Sequence, residues 1–298
     1  MEGPGTDASL VLEDGRTLDY WEGGDPDGRG VVFHPGSPCT RVMGREGHDA
    51  ALAAGVRLVS ISRPGYGGST LPDARPGLRA VGADTAELAR RLGMPDYAVL
   101  GASGGGPFAV ATAVSDPGSV RAVGVVAGIG PWPLLNEPTE ADADERELLS
   151  LLDHGDLDGA WAGYRKLLDD ALGPLRTLDD RDRVDAFFAA APHSPDDFGT
   201  RHLWEANLAE VVAGLDGLAF DNLAWGGRWD VDPRDVEAPT SLWYGDTDVM
   251  VPLSHGRWYA ERVGGAELTV HPGEGHADVC SGHWADQLTG LLAHWTSR

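Results

Sequence analysis

A serine set among glycines is the first place in this sequence where chemistry is legible. Val99-Leu100-Gly101-Ala102-Ser103-Gly104-Gly105-Gly106-Pro107 contains a G-x-S-x-G pentapeptide. A β-branched run, Tyr97–Leu100, precedes it, and a helical pattern, Phe108–Val114, follows it. Pro107 falls in the first turn of that helix, where its missing N–H costs little. This strand-turn-helix context distinguishes the motif from an ordinary glycine-rich turn. A nucleophile on so sharp a turn has strained backbone angles, and the small residues Gly101 and Gly105 let strand and helix approach. Ser103 Oγ then stands at the carboxyl edge of a sheet, where α/β sites lie, over a helix N-terminus that favours developing negative charge. A serine hydroxyl is a weak nucleophile near neutral pH. It needs a base within hydrogen-bond reach, and the base needs an acid to orient it.

The pentapeptide and the order of elements around it resemble the α/β-hydrolase superfamily, most of all its lidded serine hydrolases of the esterase, lactonase and aminopeptidase-like type. The resemblance covers nearly the whole chain, closely in the core and loosely in the middle third. It implies the chain order serine, acid, histidine. His276, in Gly273-Glu274-Gly275-His276 just after the last strand pattern, resembles the family's base. His271 ends that strand, and His283 and His294 fall in the final helical pattern. Leu242-Trp243-Tyr244-Gly245-Asp246-Thr247-Asp248, followed by Val251-Pro252, resembles the family's G-x-x-D string and implies Asp248 as the acid. Asp246 is the alternative and otherwise a turn-stabilising neighbour, a role for which Asp is well suited. Some relatives place the acid after the sixth strand, but Ala127–Trp132 holds no carboxylate.

Acyl transfer also needs backbone donors aimed at the tetrahedral oxyanion. The resemblance implies the Gly104 N–H and a second N–H from the loop after the third strand. There Gly36-Ser37-Pro38 matches the end of the family's His-Gly-x-Pro string, which points to Ser37. Pro35 stands where the family has histidine, and His34 is one place earlier. Arg63-Pro64-Gly65-Tyr66-Gly67-Gly68-Ser69 resembles the family's tight loop after the fourth strand and reads as structural. Dehalogenases and epoxide hydrolases of this fold carry aspartate at the elbow, so Ser103 argues against both.

These residues need a scaffold. Short β-branched runs at Ser9–Glu13, Thr17–Glu22, Val31–His34, Leu58–Ser62, Tyr97–Leu100, Ala122–Val126, Thr240–Tyr244 and Glu267–His271 read as strands. Asp14-Gly15 marks a hairpin between the first two. Helical patterns at Leu78–Leu92 and Phe108–Val114 alternate with strands, which implies a mostly parallel eight-stranded sheet covered on both faces. From Pro131 to Pro233 the pattern turns helical, at Glu145–Leu152, Ala160–Leu172, Arg181–Ala190 and His202–Leu215, and the segment carries 23 acids and 8 bases. The expected organisation is an α/β-hydrolase core at 1–130 and 234–298 with a helical lid at 131–233 inserted after the sixth strand. A lid there roofs the site and excludes water. Of its large aromatics Phe187, Phe188, Trp204, Trp225 and Trp229, at least one is expected on the pocket wall. Trp204, Trp225 and Trp229, with Gly36, are the candidate substrate contacts.

The chain has 298 residues and a formal charge of −24, with 47 acids against 23 bases. Such a field repels phosphate backbones and anionic lipids, so neither nucleic acid nor membrane is an expected partner. No apolar run approaches the ~18 residues that span a bilayer, and the N-terminus lacks the signature of a secretory signal. A cytoplasmic protein is expected. Cys39 and Cys280 read as two free buried thiols. No cofactor is expected: no phosphate loop and no dinucleotide fingerprint is present, and no HExxH or Cys/His cluster suggests a metal. The reading is a serine hydrolase that cleaves an ester, lactone or thioester of a neutral, largely apolar small molecule through an acyl-enzyme. The same site in a biosynthetic enzyme serves acyl transfer, cyclisation or C–C cleavage, and that alternative stays open. A binding protein is expected to have lost Ser103, Asp248 or His276, and all three are present.

Overall fold

The computed structural model describes every residue except 1–3, 74, 136–141, 190–193, 195–196, 198–200 and 296–298. Eight strands form one sheet: β1 (Thr6–Val11), β2 (Thr17–Gly24), β3 (Arg29–His34), β4 (Val56–Ile61), β5 (Tyr97–Ala102), β6 (Val120–Val126), β7 (Thr240–Gly245) and β8 (Glu267–His271). Their order is β1-β2-β4-β3-β5-β6-β7-β8. β1 and β2 form the antiparallel hairpin turned by Asp14-Gly15, and β2 meets β4 antiparallel. The other neighbours are parallel. This is the mostly parallel sheet expected from the strand patterns, with the arrangement that the family resemblance implies.

Strand periodicity divides the core into two layers. Val32, Val59, Val99 and Val123 face one side, and Val31, Leu58, Ala98 and Ala122 the other. α2 (Leu78–Arg91) and α3 (Gly106–Ser115) cover the first face. α1 (His48–Ala54) and, at the C-terminus, α12 (Trp284–His294) cover the second. Every residue of β5 is buried, as expected of a central parallel strand sandwiched between helical layers.

Between β6 and β7 lie α4 (Trp132–Leu135), α5 (Asp142–Asp153), α6 (Leu157–Leu172), α7 (Asp180–Phe188), α8 (Arg201–Ala213) and α9 (Asp216–Gly226) among the described residues. α5, α6 and α9 bury Leu152, Tyr164 and Leu223 with Tyr66 of the loop after β4. α7 and α8 bury Val184, Leu203 and Leu208 with Cys39, Val42 and Met43 of the loop after β3. The helical segment thus packs on the two loops that flank the site.

Some elements differ from expectation. The first strand begins earlier, at Thr6. α1 was not expected: with seven residues it is too short to show a helical period, and Gly55, at φ 66°, ends it. α9 was missed because it is buried on nearly all sides and so lacks the polar face that makes a helix readable. α10 (Leu253–Ala260) joins β7 to β8. The final helix starts earlier and breaks at His283 into α11 (His276–Gly282) and α12, so His276 opens a helix.

Candidate active site

Ser103 follows the last residue of β5 and precedes α3, with φ 51°. Only one other described residue that is not glycine, Ala127, has a positive φ. Such a conformation costs on the order of 1–3 kcal/mol and persists only where the surroundings impose it. The packing supplies that constraint. A Cβ on Gly105 would lie 2.0 Å from the His34 carbonyl oxygen, and one on Gly101 2.4 Å from that of Gly105. The strand, turn and helix therefore close together only because both positions are glycine.

His276 and Asp248 meet across the loops after β8 and β7. His276 Nδ1 lies 2.7 Å from Asp248 Oδ2, and both side chains are buried. Asp248 Oδ1 accepts the backbone N–H groups of Met250 and Val251, each at 2.8 Å, so the carboxylate is fixed by its own turn. Burial opposes charge on His276, but Cys280 one helical turn along and the bond to Asp248 outweigh it and raise its pKa above the ordinary 6.5. Asp246 is exposed and accepts the Gly273 N–H at 2.7 Å. It holds the turn and is not the partner of His276.

Ser103 and His276 line one cavity of about 310 Å³ together with Gly36 and Ser37. Gly104 packs closely on the Ser37 loop: a Cβ on Gly104 would lie 3.1 Å from Ser37 N. His34 takes no part, being fully buried with Nε2 3.1 Å from Thr112 Oγ1 on α3.

The loop bearing Ser37 is held by an ion pair that sequence reasoning missed. Arg63 and Asp221 are both wholly buried, with Arg63 Nη2 2.5 Å from Asp221 Oδ2. Arg63 also donates to the carbonyls of Pro35 and Gly36, at 2.5 and 3.1 Å. Asp221, on α9, accepts the Ser37 hydroxyl at 2.5 Å and that of Tyr66 at 3.0 Å. The loop read as structural from its glycines and proline therefore carries a buried cation. Arg63 in an otherwise uncharged loop was the available signal.

Among the expected substrate contacts, Gly36 and Trp204 line the cavity, with Phe187 and Phe188 beside Trp204. Trp225 and Trp229 do not. Trp225 packs edge-on against Trp132, and its carbonyl accepts the Trp229 indole N–H at 2.7 Å. Trp229 in turn stacks edge-on with Trp258. Helix α9 is enclosed, so Trp225 near its C-terminus serves the core, while Trp229, beyond the helix end and half-buried, lines a separate pocket with Trp258. The cavity is also lined by Cys39, Cys280, Glu46 and Trp284, none of them foreseen there. Both cysteines are free; Cys39 is buried and Cys280 half-buried. Burial pushes the Cys39 thiol up to about 12, which keeps it protonated.

For a cation, one described group has suitable donors. His271, Glu274 and His283 bring ligand atoms within 4.8 Å of one another. Glu274 Oε2 is hydrogen-bonded to His283 Nε2 at 2.7 Å and lies 3.5 Å from His271 Nδ1.

The pattern of the alpha/beta hydrolase family matches residues 31–288. The chain belongs to that family. A stretch of 124 residues is 30% identical to a non-heme chloroperoxidase of Streptomyces lividans, covering 41% of this chain and 45% of that protein. The match thus spans less than half the length of the curated relative. Among solved structures, an esterase from Exiguobacterium antarcticum superposes with a TM-score of 0.66 at 18% identity, over 99% of this chain and all of the other. The epoxide hydrolase CorEH superposes at 0.68 and 18% identity, over 97% of this chain and 99% of its own. At such identity these likenesses speak for the fold, which hosts many reactions. Among the described residues no helix is long and apolar enough to cross a membrane.

Proposed function

We propose that this hydrolase-family protein is a serine hydrolase that cleaves a carboxylic ester, lactone or thioester of a small, largely apolar molecule. The observation that carries the reading is the pairing at the cavity. Ser103, held at φ 51° on the elbow, shares a cavity wall with His276, whose other ring nitrogen is bonded to Asp248.

In this mechanism Asp248 fixes the His276 tautomer, with Nδ1–H toward the carboxylate and Nε2 as the base. His276 takes the Ser103 proton as Oγ attacks the acyl carbon, then returns it to the leaving alcohol or thiol. The tetrahedral oxyanion is met by the N–H groups of Gly104 and Ser37, and water resolves the acyl-enzyme by the same proton relay. The segment at 131–233 acts as the lid. Support comes from Phe187, Phe188 and Trp204, which belong to that segment and line the cavity. Their rings make an apolar, water-poor chamber in which the oxyanion donors act strongly.

Intact-mass analysis after treatment with a fluorophosphonate tests this reading. A single adduct on the wild type and none on Ser103→Ala is expected, followed by release of p-nitrophenol from short-chain esters. A folded wild type that takes no adduct overturns it.

A further inference from the structure

The cavity that holds Ser103 contains one carboxylate that the proposed mechanism does not use. Glu46 stands in the 3-10 turn Arg41–Gly47 after β3 and reaches the cavity wall. Its Oε2 accepts from Ser281 Oγ at 3.2 Å and from the Trp284 indole N–H at 3.4 Å. Both bonds fall on the same oxygen. Among the described residues no donor to Oε1 is found, and Glu46 is one of the residues that line the cavity. No lysine or arginine lines that cavity. The adjacent Arg45 turns outward to Asp7.

We propose that Glu46 is a cation-recognising residue of this cavity, so that the preferred substrates are apolar acyl compounds carrying a primary ammonium group. The inference deepens the hydrolase reading and rests on it for the word substrate. Three observations favour an ammonium over a neutral hydroxyl. Burial without a counter-charge is costly for a carboxylate, and here it pushes the Glu46 carboxyl up to about 7. A ligand cation supplies the missing charge, whereas an alcohol supplies only a dipole. The same walls carry the aromatic rings of Phe187, Phe188, Trp204 and Trp284, a type of side chain to which cations are attracted. Finally, the chain's charge of −24 draws cations toward the protein and repels carboxylate-bearing competitors. An ammonium ion donates to Oε1 while Ser281 and Trp284 retain Oε2. On this proposal the substrate carries a charge, unlike the neutral molecule expected from sequence.

The test compares two esters of nearly equal shape, p-nitrophenyl ε-aminocaproate and p-nitrophenyl heptanoate, at about pH 8, where the amine is protonated. The wild type is expected to favour the amino ester in kcat/KM by roughly tenfold, the scale of one charge-assisted hydrogen bond. Glu46→Gln is expected to bring the ratio of the two down to about one, and Glu46→Asp, which keeps the charge, to retain part of it. Equal kcat/KM values in the wild type, or a ratio untouched by Glu46→Gln, overturns the proposal. A second arm needs neither turnover nor a folded variant. Hexylammonium is expected to raise the wild-type melting temperature more than hexanol does, and equal shifts count against Glu46. Should hexylammonium bind selectively while Ser103 takes no fluorophosphonate, Glu46 recognition stands and the hydrolase reading falls.

Discussion

Asp221 accepts the Ser37 hydroxyl at 2.5 Å across 184 residues of sequence, and so ties helix α9 to the loop that carries a proposed oxyanion donor. The same carboxylate balances Arg63, which grips the two carbonyls just before Ser37. Removing one partner of a buried pair strands the other charge and costs about 3–5 kcal/mol. Asp221→Ala is therefore expected to lose about that much stability in urea denaturation. The pair's second role is separable. An apolar double replacement, Arg63→Met with Asp221→Leu, is expected to regain most of the stability, because it strands no charge, and yet to keep a depressed kcat, because nothing then fixes Pro35–Ser37. Recovery of both together would make the pair purely structural.

Asp248 touches His276 through one oxygen and its own turn through the other. Asp248→Asn keeps an acceptor for the turn but can present an amide to Nδ1, which favours the wrong tautomer. The expected result is a fall in kcat by about 10³–10⁴ with KM and melting temperature little changed. A loss below tenfold would mean that His276 does not need this carboxylate and that another group does the orienting.

Much of this arrangement was legible, and the boundary follows from distance along the chain. Ser103 sits in a motif whose strand, turn and helix are contiguous. Asp248 and His276 each follow a run that reads as a strand, in strings that resemble the family's. Arg63 and Asp221 are 158 residues apart, and no local pattern joins them. Glu46 lies in a short 3-10 turn, and its partners Ser281 and Trp284 are 235 and 238 residues away. Trp225 and Trp229 were expected at the cavity on their size alone. Trp225 lies on a helix enclosed on nearly all sides, which carries no polar face from which to tell lining from core, and Trp229 lies in the loop after it.

The pH profile should report His276. Burial disfavours its charged form, while Cys280 and the Asp248 bond favour it, and the balance raises the pKa from 6.5. The base acts when neutral, so kcat/KM is lost as pH falls through that value, with a midpoint above 6.5. Cys280→Ala removes one raising influence and is expected to move the midpoint down, toward neutrality, without changing the slope. A midpoint that stays in place, measured by stopped-flow turnover across the acid limb, would show that Cys280 does not couple to the base.

Gly104 offers the most direct probe of the oxyanion site. A Cβ there would meet Ser37 Oγ at 2.5 Å and Ser37 Cβ at 2.9 Å, and real Cβ atoms do not approach so closely, so the Ser37 loop must retreat. That loop cannot move far, since Arg63 and Asp221 hold it from beneath. The strain therefore falls on the spacing between the two amides and leaves the distant core intact. Gly104→Ala is expected to fold, to keep His276 bonded to Asp248, and to lose about 10²–10³ in kcat, the cost of one misplaced oxyanion donor. Fluorophosphonate labelling, whose phosphoryl oxygen occupies the same donors, should slow in parallel with ester turnover. Unimpaired labelling and turnover would place the second donor somewhere other than Ser37.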